Sequence, residues 1–491
     1  MKNFLPIVKL ACLTAAAALI VSCGDGADYR NVLPADSFVT MSVDAASLLK
    51  KSGTCDAASN PLLDRLKAEL DKAEELSAEE KEYLFSLLEN PAESGLDLKK
   101  ELFLFMSADG ADINNPEAGV SVVKIGEESE ASGVCAYNDI ACLLYFKTDP
   151  CGVVEEKVRK LFAQKRAESL MGDKAVAARL AARNDVNMVV SYANLSAMMN
   201  NPMLGAMPMM DVLKGALVMG SANFEKGRIV SDAAVSYKDK ASVEKAAAFY
   251  AYVKPQTGDL LRYVPAGSLA ALSYGLDGEK LYAMLAAMPG YGMMLGNPMV
   301  KQVLDAFDGD CVISFSGMTP DGRFPIASLL AQVNDPAVLQ TVVTNLAGMP
   351  VQQTAEGEYV FNSGDVSVLF GVKNKVLYCT TDTAVKSALD GAKIESLMSL
   401  DGIVKGQSCT FWVDFKGLSA LVSQLAGEAG TPQAEAALAV LGMFDDMEAY
   451  STMEGGKLVV NMADKEQNAF KTICDTTGAL IRQYMPEADE I

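Results

Sequence analysis

Leu329-Leu330-Ala331-Gln332-Val333-Asn334-Asp335-Pro336, followed by an apolar helical pattern over Val338–Leu346, is the stretch that organises this chain. A β-rich run ends in an aspartate, and a helix begins there. The chemistry is direct. An Asp side chain accepts hydrogen bonds from the free amides of a helix's first turn. A proline just inside the helix loses no needed donor. The same pattern recurs at Leu143–Asp149 with Pro150, at Ala234–Asp239, and at Val459–Asp464. Each of these strands reads as the second arm of a hairpin. The turns lie at Gly227, at Asp321-Gly322 and at Gly455-Gly456, between β-rich runs. The first arms are Ala216–Phe224, Cys311–Ser316 and Glu448–Met453, with Leu102–Met106 as the looser equivalent in the first copy.

A leading strand and helix precede each hairpin. Alternation in Val39, Met41, Val43 and in Phe411, Val413, Phe415 marks two of these strands. Leu33-Pro34-Ala35 and Val264-Pro265-Ala266 introduce the first and third copies, which therefore begin two larger halves. The expected fold is α+β: divergent tandem β-α-β-β-α-like units forming antiparallel sheets with helices on one face, in two larger halves. The N-terminal half covers residues 31–257 and the C-terminal half 258–491. The first copy carries an extra helical pair starting at Asn60-Pro61, and the third an extra strand pair around Tyr359–Phe361 and Val366–Val372, then Lys375–Thr380.

The first residues supply an address. Lys2 and Lys9 flank an apolar run, Leu10–Val21, that is shorter than the ~20 residues needed to span a bilayer. Ile20-Val21-Ser22-Cys23 then fits the bacterial lipobox. The reading is a signal peptide over residues 1–22, cleavage before Cys23, and a diacylglycerol thioether on that cysteine, with acylation of the new amino group. More than one acyl chain gives stable anchoring. Residues 23–30 read as a flexible lipidated tether. Gly24 after the cysteine favours the outer membrane, on its periplasmic or cell-surface face.

Composition narrows the function. The net charge is −21, and no cluster of Lys and Arg stands out, which argues against nucleic acid as a partner. The chain has no histidine, so it lacks the commonest general base and metal ligand. No nucleophile elbow, phosphate loop or zinc-protease motif occurs. Ser47-Leu48-Leu49-Lys50 has serine–lysine spacing but reads as a solvated helix face. Asp308-Gly309-Asp310 and Asp445-Asp446 read as turns or caps rather than calcium ligands. No metal and no cofactor is implied. Of the ten cysteines, Cys311, Cys379 and Cys409 sit in strand-like apolar runs and read as buried thiols. An exported compartment permits a Cys142–Cys151 bridge.

Methionine is the oddity. Met203, Met207, Met209 and Met210 crowd one segment, and Met293, Met294 and Met299 crowd its counterpart. Thioethers make an adaptable greasy surface or pack a core. Both clusters contain Asn-Pro-Met, at Asn201-Pro202-Met203 and Asn297-Pro298-Met299, which supports duplication. Asp382-Thr383-Ala384 and Asp475-Thr476-Thr477 resemble the O-glycosylation pattern of exported Bacteroidota proteins, with Thr383 and Thr476 as acceptors.

The lipobox Ile20–Cys23, the opening Leu33-Pro34-Ala35-Asp36-Ser37-Phe38-Val39-Thr40-Met41-Ser42-Val43-Asp44 and the segment Asn90-Pro91-Ala92-Glu93-Ser94-Gly95-Leu96-Asp97 carry a resemblance. In these the chain resembles a family of Bacteroidota lipoproteins grouped as domain of unknown function 4836. That resemblance implies a Gram-negative envelope and no catalytic residue. The favoured expectation is a non-enzymatic binding or scaffolding lipoprotein held to the membrane by its lipid anchor, with an envelope protein or glycan as partner. The alternative is an envelope hydrolase working on glycan or peptide through carboxylates alone. Copper handling through thioethers is a third and more remote reading.

Overall fold

The computed structural model describes residues 28–53, 99–107, 132–137, 142–147, 159–198, 208–288, 295–345, 350–363, 366–426 and 431–484, with isolated positions at 157 and between 67 and 85. In chain order, the first copy holds β1 (Ser37–Val43), α1 (Ala45–Ser52), β2 (Leu102–Ser107), β3 (Ser132–Tyr137) and β4 (Cys142–Lys147). After α2 (Lys174–Ala181), the second holds β5 (Val186–Ser191), α3 (Tyr192–Met198), α4 (Pro208–Leu213), β6 (Ala216–Glu225), β7 (Arg228–Tyr237) and α5 (Lys240–Phe249). Following β8 (Val253–Lys254), the third holds β9 (Ala270–Asp277), α6 (Gly278–Ala286), α7 (Pro298–Ala306), β10 (Phe307–Met318), β11 (Pro325–Val333) and α8 (Val338–Asn345). It continues through β12 (Val351–Ala355), β13 (Glu358–Ser363), β14 (Val366–Lys373), β15 (Val376–Thr380), α9 (Thr383–Leu389) and α10 (Asp401–Val404). The fourth holds β16 (Cys409–Asp414), α11 (Phe415–Ala426), α12 (Pro432–Leu441), β17 (Phe444–Thr452), β18 (Gly455–Met462) and α13 (Ala469–Tyr484).

Sixteen strands form one sheet, in the order β12-β13-β14-β15-β11-β10-β9-β16-β17-β18-β7-β6-β5-β1-β2, with β8 beside the end of β9. The α+β class with a large antiparallel sheet is what the structure shows. Its order explains the duplication. The leading strands β1 and β5 pair antiparallel, as do the leading strands β9 and β16. Each hairpin then runs outward from its own leading strand. The two blocks meet where β18 pairs antiparallel with β7. Gly455 permits that meeting, because a Cβ there would collide with the Ala233 carbonyl.

The same joints recur in both blocks. Leu33 O accepts from Leu170 N at 3.0 Å, and Val264 O accepts from Leu397 N at 2.9 Å. Pro34 bridges Ser169, and Pro265 bridges Ser396. Both contacted segments spell Glu-Ser-Leu-Met, at Glu168–Met171 and Glu395–Met398, a repeat that the sequence reading did not find. These segments and their neighbours cap one face of the sheet. In the first block Leu33, Met171, Val176 and Leu180 cover Val189 and Met219. In the second, Leu261, Val264, Val385, Leu389 and Val404 cover Val312, Leu330 and Tyr378. We term this the capped face.

Unit helices pack on the opposite, open face, towards the strand ends. Helix α6 brings Leu281 over Leu276, Cys311 and Ala331. Helices α7 and α8 bring Val303, Ala306 and Val338 over Val333. Helix α13 brings Ala469 and Ile473 over Met462, Phe224 and Ile229. Among the described residues, no helix covers the middle of the strands between these.

Several sequence expectations need correction. The folded body begins inside the expected tether: Asp28 caps a 3-10 turn over Tyr29–Val32, and Tyr29 is buried edge-on against Phe103. An aromatic ring that gains a core contact outweighs the flexibility of its neighbours. The first-copy hairpin is also different, since β4 pairs with β3 in a separate two-stranded sheet and β2 ends the large one. Each later unit carries a second helix that periodicity missed, α4 and α7 in Pro- and Met-rich stretches and α12 in an alanine-rich one. Asp239 caps α5 as expected, at 2.8 Å from Ser242 N. Asp464 instead closes a turn on Glu466 N, and Asn468 starts α13 through Phe470 N. Asp149, Cys151 and the pair of helices from Asn60 lie outside or largely outside the described residues.

Candidate functional site

The candidate site is built from cross-strand register. Antiparallel partners lie on the same face, so one row can be followed across the sheet. From one side it reads Ala222, Ser231, Leu458, Ala449, Phe411, Leu272, Ile313, Leu329 and Cys379. All of these are on the open face. Phe411 and Leu329 are each 37% exposed and Ile313 is 43% exposed. Their immediate neighbours Val312 and Leu330 are fully buried on the capped face. A sheet face in contact with water is normally polar. This one is apolar along its centre.

Where the two blocks meet, the row passes through a shallow groove of about 250 Å³ lined by Ser231, Ala233, Cys409, Phe411, Ala449 and Leu458. Its floor is low because Ala233, Gly456 and Ser451 lie next to one another across β7, β18 and β17. Small side chains there leave Phe411 and Leu458 standing as rims. The row has a counterpart in the first block. Met188 faces Met41 as Phe411 faces Leu272, and Met188 is also well exposed. An exposed apolar row of this kind is a candidate interaction surface.

Beneath the groove, the capped-face side of the same strands is charged. Glu448 lies opposite Trp412 across β16 and β17. Burial, and then the neighbouring Asp446 charge, push the Glu448 carboxyl above its ordinary value. Asp446 accepts from Asn461 at 2.6 Å. Asp232 is engaged by Ser221 and by Arg179 at 2.7 Å; these contacts overcome the opposing effect of burial and hold its carboxyl low.

The sequence-selected residues are dispersed. Met210 is half-buried in α4, Met209 lies in the same helix, and Met299 is half-buried near the start of α7. Met203, Met207, Met293, Met294 and Cys23 lie outside the described residues. Thr383 is exposed at the first position of α9, whose cap is the buried Asp382. Thr476 is half-buried within α13. Cys311 is buried and Cys409 half-buried, but Cys379 is exposed, contrary to expectation. These three thiols are free, and burial pushes the Cys311 thiol up to about 12, with the Tyr274 hydroxyl opposing.

The acidic motifs are structural. Asp310 is almost fully buried and accepts from Thr257 N, Thr257 Oγ1 and Gly258 N at 2.7–3.1 Å. It therefore latches the segment that joins the two halves. Asp308 pairs with Lys254, and Asp445 with Lys465. Ser47 does not lie on the solvated helix face expected for it; it is half-buried. It donates to buried Asp185 at 2.7 Å beside Lys51, tying α1 to the sheet. Among the described residues no group of three or more His, Cys, Asp or Glu is placed to hold a metal. Sequence reasoning missed Phe411, Ile313 and Leu329 as surface residues. The available signal was an apolar residue at every position of Phe411-Trp412-Val413 and Val312-Ile313, where a sheet with one wet face alternates.

No helix among the described residues is long and apolar enough to cross a membrane. No curated protein matches the chain. A solved structure of TP0453 (crystal form I) is similar at 11% identity and a TM-score of 0.24, over 45% of this chain and 97% of that one. A family model described as Domain of unknown function (DUF4836) matches residues 29–137 and 131–390, well over half of the sequence. The chain belongs to the DUF4836 family.

Proposed function

We propose that this is an exported lipoprotein of the bacterial cell envelope, of the Bacteroidota type, anchored by acylated Cys23 at the outer membrane. Its role is to bind or scaffold another envelope component without catalysis. The observation that carries this reading is the apolar row on the open face in which Phe411, Ile313 and Leu329 are exposed and Leu272, between Phe411 and Ile313, is half-buried. An apolar floor suits the apolar side chains of a protein partner better than a glycan, whose hydroxyls need donors and acceptors.

The test is site-specific photo-crosslinking in intact cells. A benzophenone amino acid replaces Ile313, Phe411 or, as a control, Val243, an exposed apolar residue of α5. A discrete protein adduct from positions 313 and 411 but not from 243 is expected. Equal labelling from all three positions would remove the open face as the binding surface. Mass spectrometry of the mature N-terminus tests the anchor separately: an acylated Cys23 is expected, and retention of residues 1–22 contradicts it.

A second reading, hydrolysis by carboxylates, is favoured by one observation. The raised carboxyl of Glu448 lies two residues from Asp446 on one strand, beside Trp412. Side chains at that spacing lie roughly 6–7 Å apart, within the range used by glycosidases. Glycan turnover by the purified protein that disappears in Glu448→Gln supports this reading, and absence of turnover removes it.

A further inference from the structure

We infer that the folded body carries a basic docking patch around its N-terminal entry, and that its occupant is the phosphate-bearing lipid surface in which Cys23 is anchored. The inference rests on the lipid anchor proposed above and adds an orientation to it. The net charge of −21 conceals a local excess of cations. Residues 157–183 hold eight Lys and Arg against two acids, Glu168 and Asp173. Averaging over the chain hid that excess from the sequence reading.

The structure gathers part of this segment with two others. Asp28, where the described body begins, accepts from Arg30 at 2.8 Å and faces Arg166 at 3.8 Å. One carboxylate thus sits between two guanidiniums and leaves a surplus positive charge. Lys100 Nζ lies 5.6 Å from the centre of the Tyr29 ring. Gln164 donates to the Leu33 carbonyl at 3.1 Å, which holds the neighbouring Lys165 and Arg166 against the same turn. Lys165 is exposed, and the Glu168 carboxylate takes its backbone N–H, at 2.9 Å, rather than its ammonium. The Arg166 side chain is 60% exposed. Lys99, and Arg159 and Lys160 on the helical turn over 159–163, extend the patch and are exposed.

Two arguments point to the occupant. The first is reach. Cys23 lies five residues before Asp28, and five residues span at most roughly 18 Å when extended. Acylation at Cys23 therefore holds this corner of the body next to the membrane. The second is sign. Lys and Arg are attracted to the phosphates of an anionic leaflet, over a distance that salt limits to about 8 Å. A tethered patch works at high effective concentration, so a few cations suffice. Tyr29 packs on Phe103, which belongs to the capped-face core, so the patch lies on the capped side of the sheet. Docking there turns the open face and its apolar row away from the lipid.

The test is fluorescence quenching of the full acylated chain on vesicles that carry a headgroup quencher. A fluorescent amino acid replaces Ala167, exposed within the patch, or Ile313 on the open face. The vesicles are phosphatidylcholine alone or mixed with phosphatidylglycerol. Strong quenching at 167 is expected on the anionic vesicles only, weakened by salt, with little at 313 on either. Lys165→Glu/Arg166→Glu should reduce the quenching at 167 by about half or more. Lys238→Glu/Lys240→Glu, an exposed pair at the start of α5 with the same change in charge, should leave it unchanged. Equal quenching at 167 on both vesicles, stronger quenching at 313, or equal effects of the two reversals would each overturn the patch. Should a variant fold poorly, the comparison of vesicles with the parent sequence decides. Flotation on neutral vesicles reports the anchor alone. A chain that fails there refutes the anchor. Its flotation on anionic vesicles then still supports the patch, and failure on both overturns it.

Discussion

Val312 and Ile313 are neighbours on β10, and Leu330 and Leu329 are neighbours on β11, yet each pair is divided between two environments. Val312 and Leu330 are buried under the capping segments, whereas Ile313 and Leu329 are 43% and 37% exposed. The residue types on the two faces are nearly the same. What differs is the cover. The capping segments repeat in both blocks with the same joints, so the capped face is where the fold gets its stability. The open face keeps apolar residues that contribute little to folding. Exposed apolar surface of this kind is what the proposed binding role would use.

Substitutions can break or sharpen that contrast. The largest effect is expected at Leu330→Ala on the capped face, a loss of about 2–5 kcal/mol from the emptied core, measured by urea unfolding. Asp310→Ala should cost about 1–3 kcal/mol, because the amides of Thr257 and Gly258 lose their acceptor in a buried place. Ile313→Asn and Leu329→Asn on the open face should each change stability by no more than about 0.5 kcal/mol. A core-sized loss at Ile313 would erase the distinction between the faces.

The smallest effect concerns pH. The Glu448 carboxyl is raised in the folded state by burial and by Asp446, so folding favours its protonated form. Its unfavourable contribution is present at neutral pH and disappears as pH falls through the raised folded value towards the unfolded one. Glu448→Gln should therefore raise the melting temperature slightly at pH 7, and the gain should vanish at a pH below the unfolded carboxylate value. A variant less stable than the parent at pH 7 contradicts this.

The sequence made some of this legible and hid the rest for physical reasons. Hairpins with a glycine at the turn were readable, because Gly227 and Gly322 occupy left-handed backbone that favours glycine. Helix starts at Asp239 and Asp382 were readable from capping chemistry. Helices α4 and α7 were missed because proline and methionine obscured a short periodicity, and α12 because its alanines, Ala434, Ala436, Ala437 and Ala439, blur the apolar stripe. The order of strands was beyond reach, since pairing of β1 with β5 and of β7 with β18 joins segments far apart in sequence. The methionine clusters drew attention by composition. The exposed row did not, because Phe411, Ile313 and Leu329 are ordinary strand residues whose exposure depends on a missing cover.

The most direct test of the account is the binding of an apolar fluorescent dye, anilinonaphthalene sulfonate, to the folded protein. It compares the parent with Ile313→Asn/Leu329→Asn/Phe411→Asn, monitoring the melting temperature of both. The account predicts saturable binding by the parent and its loss, by about tenfold or more in affinity, corresponding to roughly 1.4 kcal/mol or more, in a variant that melts within a few degrees of the parent. Undiminished dye binding in a variant that is still folded would contradict the claim that the uncovered centre of the sheet is the protein's binding surface.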